Sequence, residues 1–273
     1  VMVSRTAAFT RLHPTPPALA AWLCAAATVL CQILYSVTDP GGRTPLTVLT
    51  VLCFAAASLA DAWSRCGARA AVTLAAVAGG GGLLAEVTGL HTGVPFGRYA
   101  YTDLLGWPVA GVPGVVPLAW LMMAWPALLA GRALAVKPAG VVAVAACALA
   151  AWDVFLDPQM VDEGYWIWAS PEPSLPLVAG IPATNFAGWL LVAVLIQAAL
   201  HRWVPRPPDP IPGLAAGPAP ALYLWTWFSS VWAHFAFFGR PWVAVAGGVL
   251  MGAVAVPFAI RLGRGFRWAR VSA

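Results

Sequence analysis

The chain has 273 residues, of which 61% are hydrophobic and only 9% are charged. A soluble domain carries about 25% charged residues, so an ordinary water-facing globule, a disordered tail and a disulfide scaffold are excluded. The net charge of +5 does not indicate a nucleic-acid partner, because the bases sit in short segments between apolar runs.

What remains is an all-α polytopic membrane protein, a class that the fifteen tryptophans also suit. A bilayer core of about 30 Å needs about 20 helical residues. Eight apolar stretches meet or approach that length: 18–37, 45–60, 70–89, 115–131, 139–156, 183–200, 219–238 and 242–260. With alternate segments labelled from the N-terminus, one set holds twelve bases, from Arg5 and Arg11 to Arg267 and Arg270. The other holds three, Arg43, Arg98 and Arg240. Positive charge gathers on the cytoplasmic side of a membrane protein, so the expectation is about eight spans with both termini cytoplasmic. Residues 1–273 then form a single integral membrane domain in the cell membrane, with a stiff Pro-rich cytoplasmic connector at 205–220. Four of the five cysteines lie within apolar runs, and no pair has metal-ligand spacing.

The loops 90–114 and 157–182 are poor in bases and rich in Gly, Pro, Tyr and Trp, a composition that suits segments folded back onto the membrane mouth. An internal repeat also stands out. Gly111-Val112-Pro113 is followed by Trp120, and Gly180-Ile181-Pro182 by Trp189 at the same spacing; Glu86 and Asp157 precede them. Each unit reads as a helix ending in an acid, a returning loop, Gly-x-Pro and a descending helix.

Ionisable groups inside spans cost roughly 2.5 to 3.5 kcal/mol each on insertion scales and call for a reason. Glu86 lies near the outer end of the third span. Asp153 and Asp157, four residues apart, share a face of the fifth. Two acids so close in a poorly hydrated place repel, which favours keeping a proton between them, as a general acid requires. The alternative is that they solvate a helix end. His234 sits on one face of the seventh span with Trp227 and Ser230, as a catalyst or as a hydrogen-bonded structural group. Asn185 is placed to cap the sixth span or to orient a water. Phe96, Tyr99, Tyr101 and Trp107 in one loop, and Tyr165, Trp166 and Trp168 in the other, suit an interfacial belt or a cation-stabilising pocket. There is no phosphate-binding Gly-rich motif, HExxH or His/Cys cluster, so neither a nucleotide nor a tightly bound metal is expected, and no cofactor.

Three stretches within 86–189 resemble the membrane-embedded carotenoid biosynthesis proteins that include the carotenoid hydratases of bacteria and haloarchaea. They are Glu86-Val-Thr-Gly89 with Gly93-Val-Pro-Phe-Gly-Arg-Tyr-Ala-Tyr101, Ala151-Trp-Asp-Val-Phe-Leu-Asp-Pro-Gln-Met160 with Gly164-Tyr-Trp-Ile-Trp168, and Gly180-Ile-Pro-Ala-Thr-Asn-Phe-Ala-Gly-Trp189. The resemblance implies addition of water to the terminal double bond of an acyclic carotenoid end group, on a C40 chain of lycopene or γ-carotene type or a C50 bacterioruberin precursor. It implies a carotenoid substrate within the bilayer and association with other membrane enzymes of the carotenoid pathway. On this reading Asp153 or Asp157 donates the proton, and Glu86 is a water-activating base or second acid. Tyr99, Trp152 and Trp166 form cation-stabilising walls, and Tyr165, Asn185, Trp189 and His234 complete the substrate contacts. A carotenoid cyclase, an intramembrane prenyltransferase and a proton-coupled transporter are the alternatives. The topology carries its own test: a reporter fused after Ala273 is expected to read as cytoplasmic and one inserted at Pro173 as external, and a cytoplasmic Pro173 reporter refutes the eight-span arrangement.

Overall fold

The computed structural model describes residues 15–206 and 217–271, with side chains up to Arg264. The chain is mostly helical, and the long helices run up and down: α1 (Pro16–Val37), α2 (Arg43–Cys66), α3 (Ala68–Thr92), α4 (Val115–Leu134), α5 (Pro138–Asp162), α6 (Ala183–Trp203), α7 (Pro218–Ala236) and α8 (Pro241–Val271). Among the described residues, seven of these are long and apolar enough to cross a membrane. The exception is α7, where the seventh span was expected. It is helical over 19 residues and carries Thr226, Ser229, Ser230 and His234. Arg5 and Arg11 lie outside the described residues, as does the connector over 207–216. Its expected last residues, Pro218 to Pro220, instead form the first turn of α7, where proline's fixed φ and missing N–H cost nothing.

Several helices outrun the expected spans. Most consequentially, α5 continues past Leu156 through Pro158 to Asp162, so Asp157 lies one turn inside a helix and not at its end. The core sits on α4, where the run Trp120–Leu128 is buried. Pro126 interrupts that run and denies the Met122 carbonyl its helical donor. In a bilayer no water replaces it, and Ser58 Oγ on α2 donates to that carbonyl at 2.7 Å. Gln197 Nε2 on α6 donates to the Ala124 carbonyl at 3.0 Å, tying a third helix to the same place.

Short strands fill the two long loops at one end of the bundle, here the loop end. β1 (Tyr99–Tyr101) pairs antiparallel with β4 (Trp166–Trp168), Tyr99 opposite Trp168 and Tyr101 opposite Trp166. Each loop also carries a hairpin, β2 (Pro108–Val109) with β3 (Val112–Pro113), and β5 (Ser174–Leu175) with β6 (Val178–Pro182). Both repeat units therefore run helix, strand, hairpin, helix. Their tryptophans meet: the Trp120 and Trp189 rings stack at 3.8 Å and 16°. The β1–β4 pair is centred on Ala100 opposite Ile167, as a two-fold relation between the units requires.

Glycines set the closest helix contacts. A Cβ on Gly131 of α4 would lie 2.5 Å from the Val141 carbonyl oxygen of α5, a backbone atom that cannot step aside. Gly131→Ala is expected to cost about 1–3 kcal/mol, the usual range for overpacking. Thermal unfolding in detergent should show a lower midpoint for this variant. Gly80→Ala, where nothing lies within 4 Å of the new methyl, should show no loss.

Candidate active site

The site is built where the β1–β4 ribbon closes over the ends of α3 and α5. Side chains two apart on a strand share a face, so Tyr99 and Tyr101 point inward together while Ala100 between them is exposed. The same holds for Trp166 and Trp168 around Ile167, which is 63% exposed. Both phenols donate to Glu86 Oε2, Tyr99 at 2.6 Å and Tyr101 at 2.8 Å. Trp120 Nε1 on α4 donates to Glu86 Oε1 at 2.9 Å. Burial first, and then the Glu86 carboxylate beside them, push both phenols well above the ordinary tyrosine range, so they remain donors.

Asp157 has the corresponding arrangement in the second repeat. Its Oδ1 accepts from Trp166 Nε1 at 2.8 Å and Trp168 Nε1 at 3.0 Å. Asn185 Nδ2 donates to Asp157 Oδ2 at 2.7 Å and to Asp153 Oδ2 at 2.6 Å, so one carboxamide bridges the pair. The expected capping role of Asn185 is thereby corrected. It lies in the first turn of α6, whose N-terminus has no side-chain cap, and its amide is spent on the acids. Asp153 Oδ1 is buried without a protein partner.

Local backbone features permit these approaches. A Cβ on Gly82 of α3 would lie 2.6 Å from the Trp120 ring, so glycine lets that indole come alongside α3 and reach Glu86 one turn on. Phe96 is buried against Gly89 and Gly188, where added methyls would meet its ring at 2.7 and 2.8 Å. It thereby anchors the first loop between α3 and α6.

These groups line a cavity of about 160 Å³. Of the residues singled out in the sequence, Glu86, Asp157, Tyr99, Trp152, Trp166, Asn185 and Trp189 are on its wall. Asp153 is not; it lies behind Asp157, joined to it through Asn185. Tyr165 and His234 do not line the cavity either. The Tyr165 hydroxyl is tied to Thr44 Oγ1 and Thr47 Oγ1 at 3.2 and 3.1 Å, and faces α2. His234 Nε2 lies 3.1 Å from the Phe155 carbonyl, with its ring stacked on Phe155, which fastens α7 to α5. Tyr101, Trp168 and Trp120 emerge as site residues without having been assigned roles. The period of two in Tyr-Ala-Tyr and Trp-Ile-Trp is the signal that marks the first two of them and sets Tyr165 on the other face.

At the rim, two bases of the loop end are paired with other acids. Arg43 Nη1 meets Glu163 Oε1 at 2.7 Å, and Arg240 pairs with Asp162. Among the described residues no group of three or more His, Cys, Asp or Glu side chains has the arrangement to hold a metal ion.

Residues 45–255 match the model of a family described as carotenoid biosynthesis protein. A bisanhydrobacterioruberin hydratase from Haloarcula japonica is 33% identical over 120 residues, which cover 41% of this chain and 39% of that protein. The chain therefore aligns with well under half of that relative's length. No solved structure matches this chain. With more than half of its length matched, this polytopic membrane chain belongs to the carotenoid biosynthesis protein family.

Proposed function

We propose that this protein is a carotenoid hydratase that adds water to the terminal double bond of an acyclic carotenoid end group. The observation that carries the reading is the cavity itself. It combines a buried acid backed by a second, a wall of aromatic faces and no lysine or arginine among its lining residues, which is what protonation of an alkene and survival of a tertiary carbocation demand. The distant hydratase relative supports the same reading.

In this mechanism Asp157 delivers the proton. It lines the cavity, and the carboxylate left behind is stabilised by two indole N–H groups and the Asn185 amide. Asp153, bridged through Asn185, shares the proton with it. The alkene takes the proton at the less substituted carbon, and the positive charge develops on the tertiary carbon facing Trp152, Trp166 and Tyr99. Water then adds to that carbon, and its surplus proton returns to the carboxylate. Glu86 already accepts three hydrogen bonds, which supports the part of an acceptor and fixed negative charge over that of a second acid. The end group would enter from the outer leaflet of the cell membrane, with both termini cytoplasmic and other carotenoid-pathway enzymes as membrane neighbours.

Expression in a lycopene-producing host, with mass analysis of the extracted pigment, tests this directly. The expected product gains one water per reacted end, whereas an isomer of unchanged mass indicates a cyclase, and unaltered lycopene counts against a lycopene-type end group. Asp157→Asn should lower conversion by a factor of about 10² or more, the usual scale of general acid catalysis, with normal membrane insertion. Asp153→Asn should approach that loss if the pair shares one proton. Near-wild-type conversion by the double variant would sink the mechanism.

A further inference from the structure

A hydratase and a cyclase share the protonation step and differ in what captures the cation, so the protein must hold a water where the cation forms. The groups around the acids are unsuited to this. Tyr99, Tyr101, Trp120, Trp166, Trp168 and Asn185 all have their donors committed to carboxylates.

Helix α7, which carries none of these acids, offers what they lack. Thr226 and Ser230 are four residues apart, share one face of the helix and line the cavity. Among the described residues two threonines are buried, Thr28 and Thr226. The Thr28 hydroxyl bonds back to the Cys24 carbonyl of its own helix at 2.9 Å, the usual outlet for a threonine in a membrane helix. Thr226 Oγ1 takes no such bond and has no protein partner, although the residue is only 3% exposed. A buried hydroxyl left in this way is costly unless something bonds it. The rotation of α7 that turns this face to the cavity is pinned from both sides. Trp225 Nε1 donates to Gln32 Oε1 on α1 at 2.7 Å, and Trp227 Nε1 to the Gly248 carbonyl on α8 at 3.0 Å.

We infer that Thr226 and Ser230 are positioning residues that seat the nucleophilic water, an inference that rests on the hydratase reading and deepens it. A water in an apolar cavity needs at least two polar partners, and two hydroxyls provide them without being basic enough to compete for the proton on Asp157. The water's oxygen forms the C–O bond to the tertiary carbon. The oxonium proton passes to the carboxylate of Asp157, so alkene plus water gives tertiary alcohol and no co-reactant is consumed. Without the seated water, the cation loses a proton and returns an alkene.

The test is conversion of lycopene by the full-length protein in membranes made up in D₂O. Thr226→Val keeps the volume and removes the hydroxyl. Its alcohol yield should fall by about tenfold or more, the equivalent of one well-placed hydrogen bond. Recovered lycopene should still acquire deuterium at its ends, because protonation continues and reverses. Thr226→Ser should restore the alcohol, and Asp157→Asn should give neither alcohol nor deuterium. Wild-type alcohol yield from the Thr226→Val, Ser230→Ala double variant would overturn the water seat. So would a variant that elutes as the wild type does and loses deuterium together with alcohol. Failure of the unaltered protein to hydrate either lycopene or a C50 acyclic carotenoid, seen before any variant is made, would overturn the functional reading itself.

Discussion

Everything at the loop end of this bundle depends on holding carboxylates inside an apolar bundle without cations. A carboxylate withdrawn from water carries a desolvation penalty of several kcal/mol that only good hydrogen bonding offsets. Lysine or arginine would meet that need, but would also place a positive charge in the pocket. Here the donors are phenols, indoles and one carboxamide: three on Glu86, three on Asp157, and Asn185 shared with Asp153. Tyrosine and tryptophan bring a polar atom at the edge of a large apolar body. The residues that satisfy the acids thus also supply the aromatic walls of the cavity. Arg43 and Arg240 are kept at the rim by Glu163 and Asp162, outside the ring of donors.

That requirement explains the loops. Aromatic donors must reach acids from beyond the helix ends, and a two-stranded ribbon does so with one strand from each repeat. Because the pairing centres on Ala100 and Ile167, the strand from each repeat serves the acid of its own repeat, while the stacked Trp120 and Trp189 close the space between the units. The glycines at 82, 89 and 188 follow from the same demand, since each gives way to an aromatic ring that carries or braces a donor.

Much of this was legible in the sequence. Apolar runs of membrane length located the helices, and the cost of intramembrane charge singled out Glu86, Asp153 and Asp157. Gly-x-Pro followed by tryptophan exposed the repeat. Other features escaped because they depend on tertiary partners. The fifth span was expected to end at 156, yet α5 absorbs Pro158 and continues to Asp162, which moves Asp157 from a helix end into a buried wall. Tyr165 and His234 were credited by proximity in sequence to the acids and by chemical type. Hydrogen bonds to Thr44 and Thr47, and to the Phe155 carbonyl, take them elsewhere. Of the polar residues of α7, Thr226, Ser229 and Ser230 face the cavity, while His234 is turned to the Phe155 carbonyl.

A fourth buried acid shows what the site avoids. Asp61 on α2, at the opposite end of the bundle, is fully buried and was not singled out from the sequence. Its Oδ2 accepts from Trp125 Nε1 at 2.7 Å, as the site acids accept from indoles, but also from Arg65 Nε at 2.7 Å one turn along its own helix. With a guanidinium beside it, the carboxylate's charge is cancelled where it stands. It then acts as a fastening between α2 and α4, with no field to offer a ligand. The same fold therefore contains both solutions to burying an acid. Among the described residues the neutral-donor solution is used only at the cavity end, so the negative character of Glu86 and the Asp153–Asp157 pair is preserved for whatever positive charge forms there.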